Sequence, residues 1–191
     1  MKYIGILGMQ GAIAEHQAKL TAIPGVKVSI VRTADELNHV DGLILPGGES
    51  TAMGKLLQYF SLTEPLKQQI KAGLPVWGTC AGLILLAKKI EDEATVHLAT
   101  MDITVRRNAY GSQLDSFATD KIIPTIDDKA LPLVFIRAPY ITQAGKNVEI
   151  LGKLDNKIIA AKQQNMLVTS FHPELTHDLR VHKYFVDTFV K

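Results

Sequence analysis

In the first half of the chain, short apolar runs alternate with glycine-marked turns and with segments whose apolar residues recur every three to four positions. Residues 3–7 predict a buried strand ending at Gly8, residues 13–22 a helix, and residues 26–32 a β-branched strand. Residues 42–45 predict another strand, broken by Pro46-Gly47-Gly48. Residues 51–60 and 65–72 read as helices, the second with Pro65 near its start and Gly73 just past its end. Residues 75–78 form a short strand that runs directly into Cys80, and residues 81–90 read as the helix behind it. Strands alternating with helices predict an α/β fold, a parallel sheet with helices on both faces.

The second half is richer in strands. Residues 96–105, 122–124, 133–136, 148–154, 158–163 and 167–170 all read as extended, with turn signals at Ala144-Gly145 and Asp155-Asn156. Residues 179–190 are an amphipathic helix. The sheet is therefore expected to continue in mixed form, giving a mixed, mostly parallel central sheet flanked by helices. No repeat or linker-like stretch interrupts it, so residues 1–191 are read as a single domain.

Composition narrows the function classes. A chain of 191 residues, 47% apolar and 21% charged, can bury a core without disulfides or a structural metal. The net charge of +2, with basic and acidic residues interspersed, gives no nucleic-acid footprint. No apolar stretch is long enough to span a bilayer, and the N-terminus lacks the build of a signal peptide. The lone cysteine, Cys80, excludes an intramolecular disulfide and fits a reducing compartment. A cytoplasmic protein is expected, without membrane or nucleic-acid partners.

That cysteine sits in Gly78-Thr79-Cys80-Ala81-Gly82, a G-x-C-x-G between a predicted strand and a predicted helix. This is the cysteine form of the nucleophile elbow: a tight turn lifts the sulfur above the sheet edge, small neighbours permit the turn, and the helix N-terminus favours a thiolate. A thiol nucleophile needs a base, and the base needs an orienting carboxylate. Phe171-His172-Pro173-Glu174 follows the last predicted strand. On extended chain, residues two apart share a side, and Pro173 favours extension at His172, so His172 and Glu174 are expected to lie together. Pro46-Gly47-Gly48-Glu49-Ser50 marks another strand-to-helix junction. Its glycines could aim N–H groups at an oxyanion, with Glu49 free to hold a cationic group and Ser50 capping the helix. Arg107 and Arg137 are candidate carboxylate binders. Arg137 is the more telling, because it follows an apolar run where a charge is costly. His172, His177, Asp178 and His182 do not make a metal site: there is no CxxC or HExxH, and His177 and His182 would lie on different helix faces. The glycines at 5, 8 and 11 do not spell a dinucleotide fingerprint. No metal or cofactor is expected.

With these residues in view, the chain resembles the class I (triad) glutamine amidotransferases, and within them the glutaminase subunits of pyridoxal 5′-phosphate synthase. The wider class is carried by the Cys80 elbow and His172-Pro173-Glu174. The narrower group is carried by the Gly8-Met9-Gln10-Gly11 start, by Pro46–Ser50 and by Phe135-Ile136-Arg137-Ala138-Pro139, with Arg107-Asn108 and Asp115-Ser116-Phe117 agreeing. The resemblance implies a flavodoxin-like three-layer sandwich and hydrolysis of L-glutamine to glutamate and ammonia. Cys80 would be the nucleophile, His172 base and acid, and Glu174 its orienter. Gly48, Glu49, Ser50, Arg107, Ile136 and Arg137 would bind glutamine. Gln10, Gly47 and Ala81 would belong to the oxyanion and partner-facing loops. It implies a synthase subunit as partner in a twelve-plus-twelve assembly, ammonia passed between the two for vitamin B6 synthesis, and the reaction labels hydrolase and lyase. Met9 replaces the usual leucine, and Arg106 stands where an acid is common. The alternatives are a glutaminase serving another synthase, such as the histidine-pathway enzyme, a stand-alone cysteine amidase or peptidase, and a non-catalytic module of the same fold.

Overall fold

The computed structural model describes residues 1–107 and 116–191, so Asn108 and Asp115 of the motifs above lie outside the described residues. In chain order the elements are β1 (Lys2–Leu7), α1 (Ile13–Thr21), β2 (Val26–Val31), α2 (Ala34–Leu37), β3 (Gly42–Leu45), α3 (Ser50–Tyr59), α4 (Thr63–Lys71), β4 (Val76–Thr79), α5 (Ala81–Leu86), β5 (Ala87–Ile90) and β6 (Met101–Arg106). Then follow β7 (Ser116–Ile123), β8 (Asp127–Ile136), β9 (Tyr140–Ala144), β10 (Glu149–Leu154), β11 (Lys157–Gln163), β12 (Met166–Thr169), a 3₁₀ turn (Pro173–Leu175) and α6 (Arg180–Thr188).

Ten strands form one sheet in the order β2-β1-β3-β4-β12-β11-β9-β6-β5, with β10 pairing on β11. The run β2-β1-β3-β4-β12 is parallel throughout, a doubly wound half with its order reversing at β1. β3, β4 and β12 are buried at every residue, which is why polar side chains enter them only as the closing Thr79 and Thr169. Beyond β12 the pairings are antiparallel, except β5 with β6.

Alternation along these strands feeds two cores. Leu43, Leu45, Val76, Met166 and Val168 point to one face, where α3, α4 and α5 cover them with Leu57, Leu66, Ile70 and Leu83. Ile4, Ile6, Ile44, Trp77 and Leu167 point to the other, covered by Leu20 of α1, by Val181, Phe185 and Val186 of α6, and by Leu131, Leu133 and Phe135 of β8. β7 and β8 form a separate hairpin seated on this second core, Phe117 stacked on Phe135 at 4.7 Å.

Two expectations are corrected, and two elements were not expected. The helix expected over residues 81–90 stops at Leu86. Ala87 is extended (φ −63°, ψ 135°), and residues 87–90 become strand β5, burying Ala87 and Ile90 and exposing Lys88 and Lys89. Pairing of Ala87 with Met101 and of Ile90 with Val105 outweighs the helical reading of the segment. Of the strand expected over residues 96–105, only the part from Met101 is extended. β9 and the short helix α2 were missed, although α2 carries a readable signal: Thr33 and Glu36 form a capping box.

Candidate active site

The loops leaving the carboxyl ends of β1, β3, β4 and β12 converge, where open α/β sheets place their ligands. They line a cleft of about 540 Å³ containing Gln10, Gly47, Gly48, Glu49, Ser50, Cys80, Ala81, Arg107, Ile136, Arg137 and His172. Every site residue expected from the sequence lies on this cleft except Glu174, which sits buried behind His172.

Cys80 occupies φ 48°, ψ −100° at the N-cap of α5. Left-handed backbone costs a non-glycine residue about 1–3 kcal/mol, and here the surroundings enforce it. The Cys80 N–H donates to the Thr169 carbonyl of β12 at 2.8 Å, while its own carbonyl accepts from the N–H of Leu83 at 3.1 Å. The flanking glycines are required by packing. A Cβ on Gly78 would come within 2.5 Å of the Gly82 carbonyl group, and a Cβ on Gly82 would collide with the Leu45 carbonyl. The Cys80 sulfur lies 4.0 Å from the Ile136 carbonyl oxygen.

His172 is buried, its N–H donating to the Val134 carbonyl of β8 at 2.7 Å. Its Nδ1 lies 2.7 Å from Glu174 Oε1, a distance at which Nδ1–H donates to the carboxylate. This leaves Nε2 for the thiol. Burial alone would depress the basicity of His172. The neighbouring Cys80 sulfur and the bonded Glu174 carboxylate overcome it and raise its pKa to about 10. The pair does not arise from an extended chain, as the sequence suggested. His172 caps a 3₁₀ turn begun by Pro173, and that turn swings Glu174 back under the ring.

The β3–α3 loop is tied to its neighbours. Ala12 N–H donates to the Gly47 carbonyl at 2.9 Å, and Glu49 N–H to Gln10 Oε1 at 2.8 Å. Glu49, not Ser50, is the N-cap of α3: its carboxylate accepts from the N–H groups of Thr51 at 3.0 Å and Ala52 at 2.7 Å. Burial of part of this carboxylate works against its ionisation, but those two N–H bonds and the nearby Arg107 charge outweigh it and lower its pKa. Glu49 is thus not the free carboxylate expected. It also holds Arg107 Nη2 at 3.1 Å, while Glu93 takes Nη1 at 2.9 Å and Thr51 Oγ1 lies 3.2 Å from it. Ser50 is buried inside the first turn, its hydroxyl without a partner among the described residues. Arg106 turns away to Glu91 at 2.5 Å and Tyr140 at 3.1 Å, so its charge is neutralised outside the cleft. Arg137 is exposed, not embedded, so the cost of burying its charge is not what marks it. Its mark is a φ of 42° at the end of β8, beside the cleft.

Sequence reasoning missed His16 and His182. Both are fully buried behind the Cys80 elbow, His16 Nδ1 lying 3.0 Å from His182 Nε2. The available signal was a histidine on the apolar stripe of each helix, between Ile13 and Leu20 in α1 and beside Val181 and Phe185 in α6. Among the described residues, no group of three or more His, Cys, Asp or Glu side chains is arranged to hold a metal. None of the helices described is long and apolar enough to cross a membrane.

The fold is that of the glutamine amidotransferases. A solved structure described as a glutamine amidotransferase superimposes with a TM-score of 0.91 over 96% of this chain and 97% of its own, at 37% identity. The chain belongs to the SNO glutamine amidotransferase family, whose model matches residues 6–191. It is similar to the pyridoxal 5′-phosphate synthase subunit PdxT of Ruminiclostridium cellulolyticum, 54% identical over 98% of this chain and 99% of the relative. It is also similar to the subunit of the same name from Clostridium botulinum, 52% identical over 98% and 97%. The expected lyase label is corrected by this membership. A glutamine amidotransferase takes ammonia from a carboxamide by hydrolysis, and that is hydrolase chemistry.

Proposed function

We propose that this chain is the glutaminase subunit of a pyridoxal 5′-phosphate synthase, hydrolysing L-glutamine and passing the ammonia to a synthase subunit. The observation that carries the reading is the His172–Glu174 pair at 2.7 Å, with His172 on one cleft with Cys80, Arg107 and Arg137. The similarity to synthase subunits over nearly the whole chain supports the choice of partner.

In this mechanism the Cys80 thiolate attacks the side-chain carbonyl carbon of glutamine. The oxyanion is met by the N–H of Ala81, which as the first residue of α5 has no intrahelical partner, and by N–H groups of Gly47 and Gly48. His172, protonated while the thiolate is present, gives its proton to the departing ammonia, leaving a γ-glutamyl thioester on Cys80. It then takes a proton from water, whose oxygen attacks the thioester and frees glutamate and the thiol. Glu174 holds Nδ1–H throughout, so that Nε2 exchanges the proton. Arg107 and Arg137 bind the α-carboxylate of glutamine, with Gly48, Ser50 and Ile136 against the rest of the substrate. Glu49, already spanning α3 and Arg107, accepts the α-ammonium. Gln10, which bonds to the N–H of Glu49, ties the partner-facing first loop to the oxyanion loop. The cycle needs neither metal nor cofactor from this chain, and a lone thiol suits a reducing cytoplasm.

Glutamate release from glutamine, measured with the protein alone and with the synthase subunit, tests this. Low release alone and a large rise with synthase are expected, with a complex of twelve copies of each subunit by mass. Full activity alone, unchanged by synthase, would favour a stand-alone amidase.

A further inference from the structure

Glu174 has one oxygen accounted for and one not. Oε1 holds His172, but Oε2, on a side chain with no solvent exposure, has no well-formed hydrogen bond among the described residues. A carboxylate oxygen left bare in the interior is costly. His16 Nε2 lies 3.5 Å from it and 3.2 Å from Thr79 Oγ1. His16 reaches this position from α1, and its other nitrogen contacts His182 of α6. Both rings pack edge-on against Trp77, with centroids at 5.6 and 4.9 Å, so neither is free to turn.

Resting on the glutaminase reading, we propose that His16 is a positioning residue that holds the second oxygen of Glu174, with His182 setting its tautomer. One proton lies between the two histidines. If His16 Nδ1 carried it, His16 Nε2 would present a lone pair to an ionised carboxylate. If His182 Nε2 carries it, His16 Nε2 keeps its hydrogen and shares it between Thr79 Oγ1 and Glu174 Oε2. The negative charge selects the second arrangement. The chain then runs in one direction, from His182 N–H to His16, from His16 N–H to Glu174, with His172 Nδ1–H closing on Oε1 and Nε2 facing Cys80. Both outer histidines stay neutral. Burial, then the charges of His182 and His172, lower the pKa of His16, and burial, then the Lys19 charge, lower that of His182.

Glutamine and asparagine separate this role from simple core filling. Glutamine places an N–H where His16 Nε2 sits, and asparagine places one where Nδ1 sits. In the complex with the synthase subunit, His16→Asn is expected to lower kcat about tenfold with KM unchanged, and His16→Gln to keep kcat near wild type. The ¹H resonance of His172 Nδ1–H, which needs no turnover, should move downfield in His16→Asn, where Glu174 Oε2 loses its donor and Oε1 accepts more strongly, and stay in place in His16→Gln. Should His16→Asn not fold, His182→Phe, which takes the donor from His16 Nδ1, is expected to move the same resonance. Equal behaviour of the Asn and Gln variants, or a resonance unmoved in every variant that folds, overturns the role. Resonance shifts in these variants of a protein that releases no glutamate would instead sink the glutaminase reading and leave the positioning intact.

Discussion

The backbone of Gly47 closes against the imidazole of His172: a Cβ at Gly47 would sit 2.9 Å from Nδ1 and closer still to Cε1. The ring is held at Nδ1 by Glu174 and backed at Cε1 by this glycine, so its position is doubly set. Gly47→Ala must push the ring, the loop, or both. Glutaminase activity is expected to fall by roughly 10²-fold, the usual cost of misplacing a reacting group by an ångström. Melting temperature, read by circular dichroism, should fall by a few degrees, because Gly47 is buried and the ring it would push is held by Glu174.

Strain at Cys80 gives a second prediction, in stability. Its φ of 48° and ψ of −100° are enforced by the elbow. Cys80→Gly removes the Cβ that makes this backbone costly, while Cys80→Ala keeps it. Both variants lose the nucleophile. In urea titrations Cys80→Gly is expected to match or exceed Cys80→Ala, the strain relief of about 1–3 kcal/mol outweighing the extra chain entropy of glycine. Alanine clearly ahead of glycine would mean that the elbow stores no strain.

Arg107 is braced by Glu49, Glu93 and Thr51. Lysine keeps the charge but not the fork that meets all three. Both Arg107→Lys and Arg107→Ala should raise KM for glutamine, by about tenfold or more for alanine, with kcat less affected. An unchanged KM would remove Arg107 from the glutamine site.

The histidines predict a stability optimum. His182, with its pKa lowered by burial to about 3, and His16, also lowered, stay neutral in the fold but take protons in the unfolded chain below 6.5. Stability should therefore fall as pH decreases below about 6.5, for His182 down to about 3 and for His16 with the same sign. His172 has the opposite sign. Its pKa, raised to about 10, contributes stability below 6.5 that is lost as pH rises through 10. Chemical denaturation across this range is expected to peak near pH 6.5, with a shallower acid side in His182→Phe.

How much of this was legible in the sequence depended on how local the cause was. The parallel half was readable because β3, and β4 and β12 up to their closing threonines, carry no polar side chain, and the elbow because Gly78 and Gly82 are local steric needs. Glu49 as a helix cap was obscured by Ser50, a better capping residue by type. Only the folded loop shows Ser50 turned inward. The conversion of residues 87–90 into a strand follows from pairing with Met101–Arg106, a partner beyond any local window. The His172–Glu174 contact was foreseen for an inexact reason, since a 3₁₀ turn and not extended chain brings the two together. His16 and His182 come from opposite ends of the chain, and no spacing could have joined them.

The central claim is that Cys80 attacks glutamine with His172 as its base. A glutamine chloroketone that mimics the substrate, followed by peptide mass spectrometry, tests it in one measurement on the complex with the synthase subunit. The account predicts a single adduct on Cys80, slowed by competing glutamine and lost when His172 is replaced by alanine. Labelling of Cys80 indifferent to both glutamine and His172, or no adduct on it at all, would contradict the account.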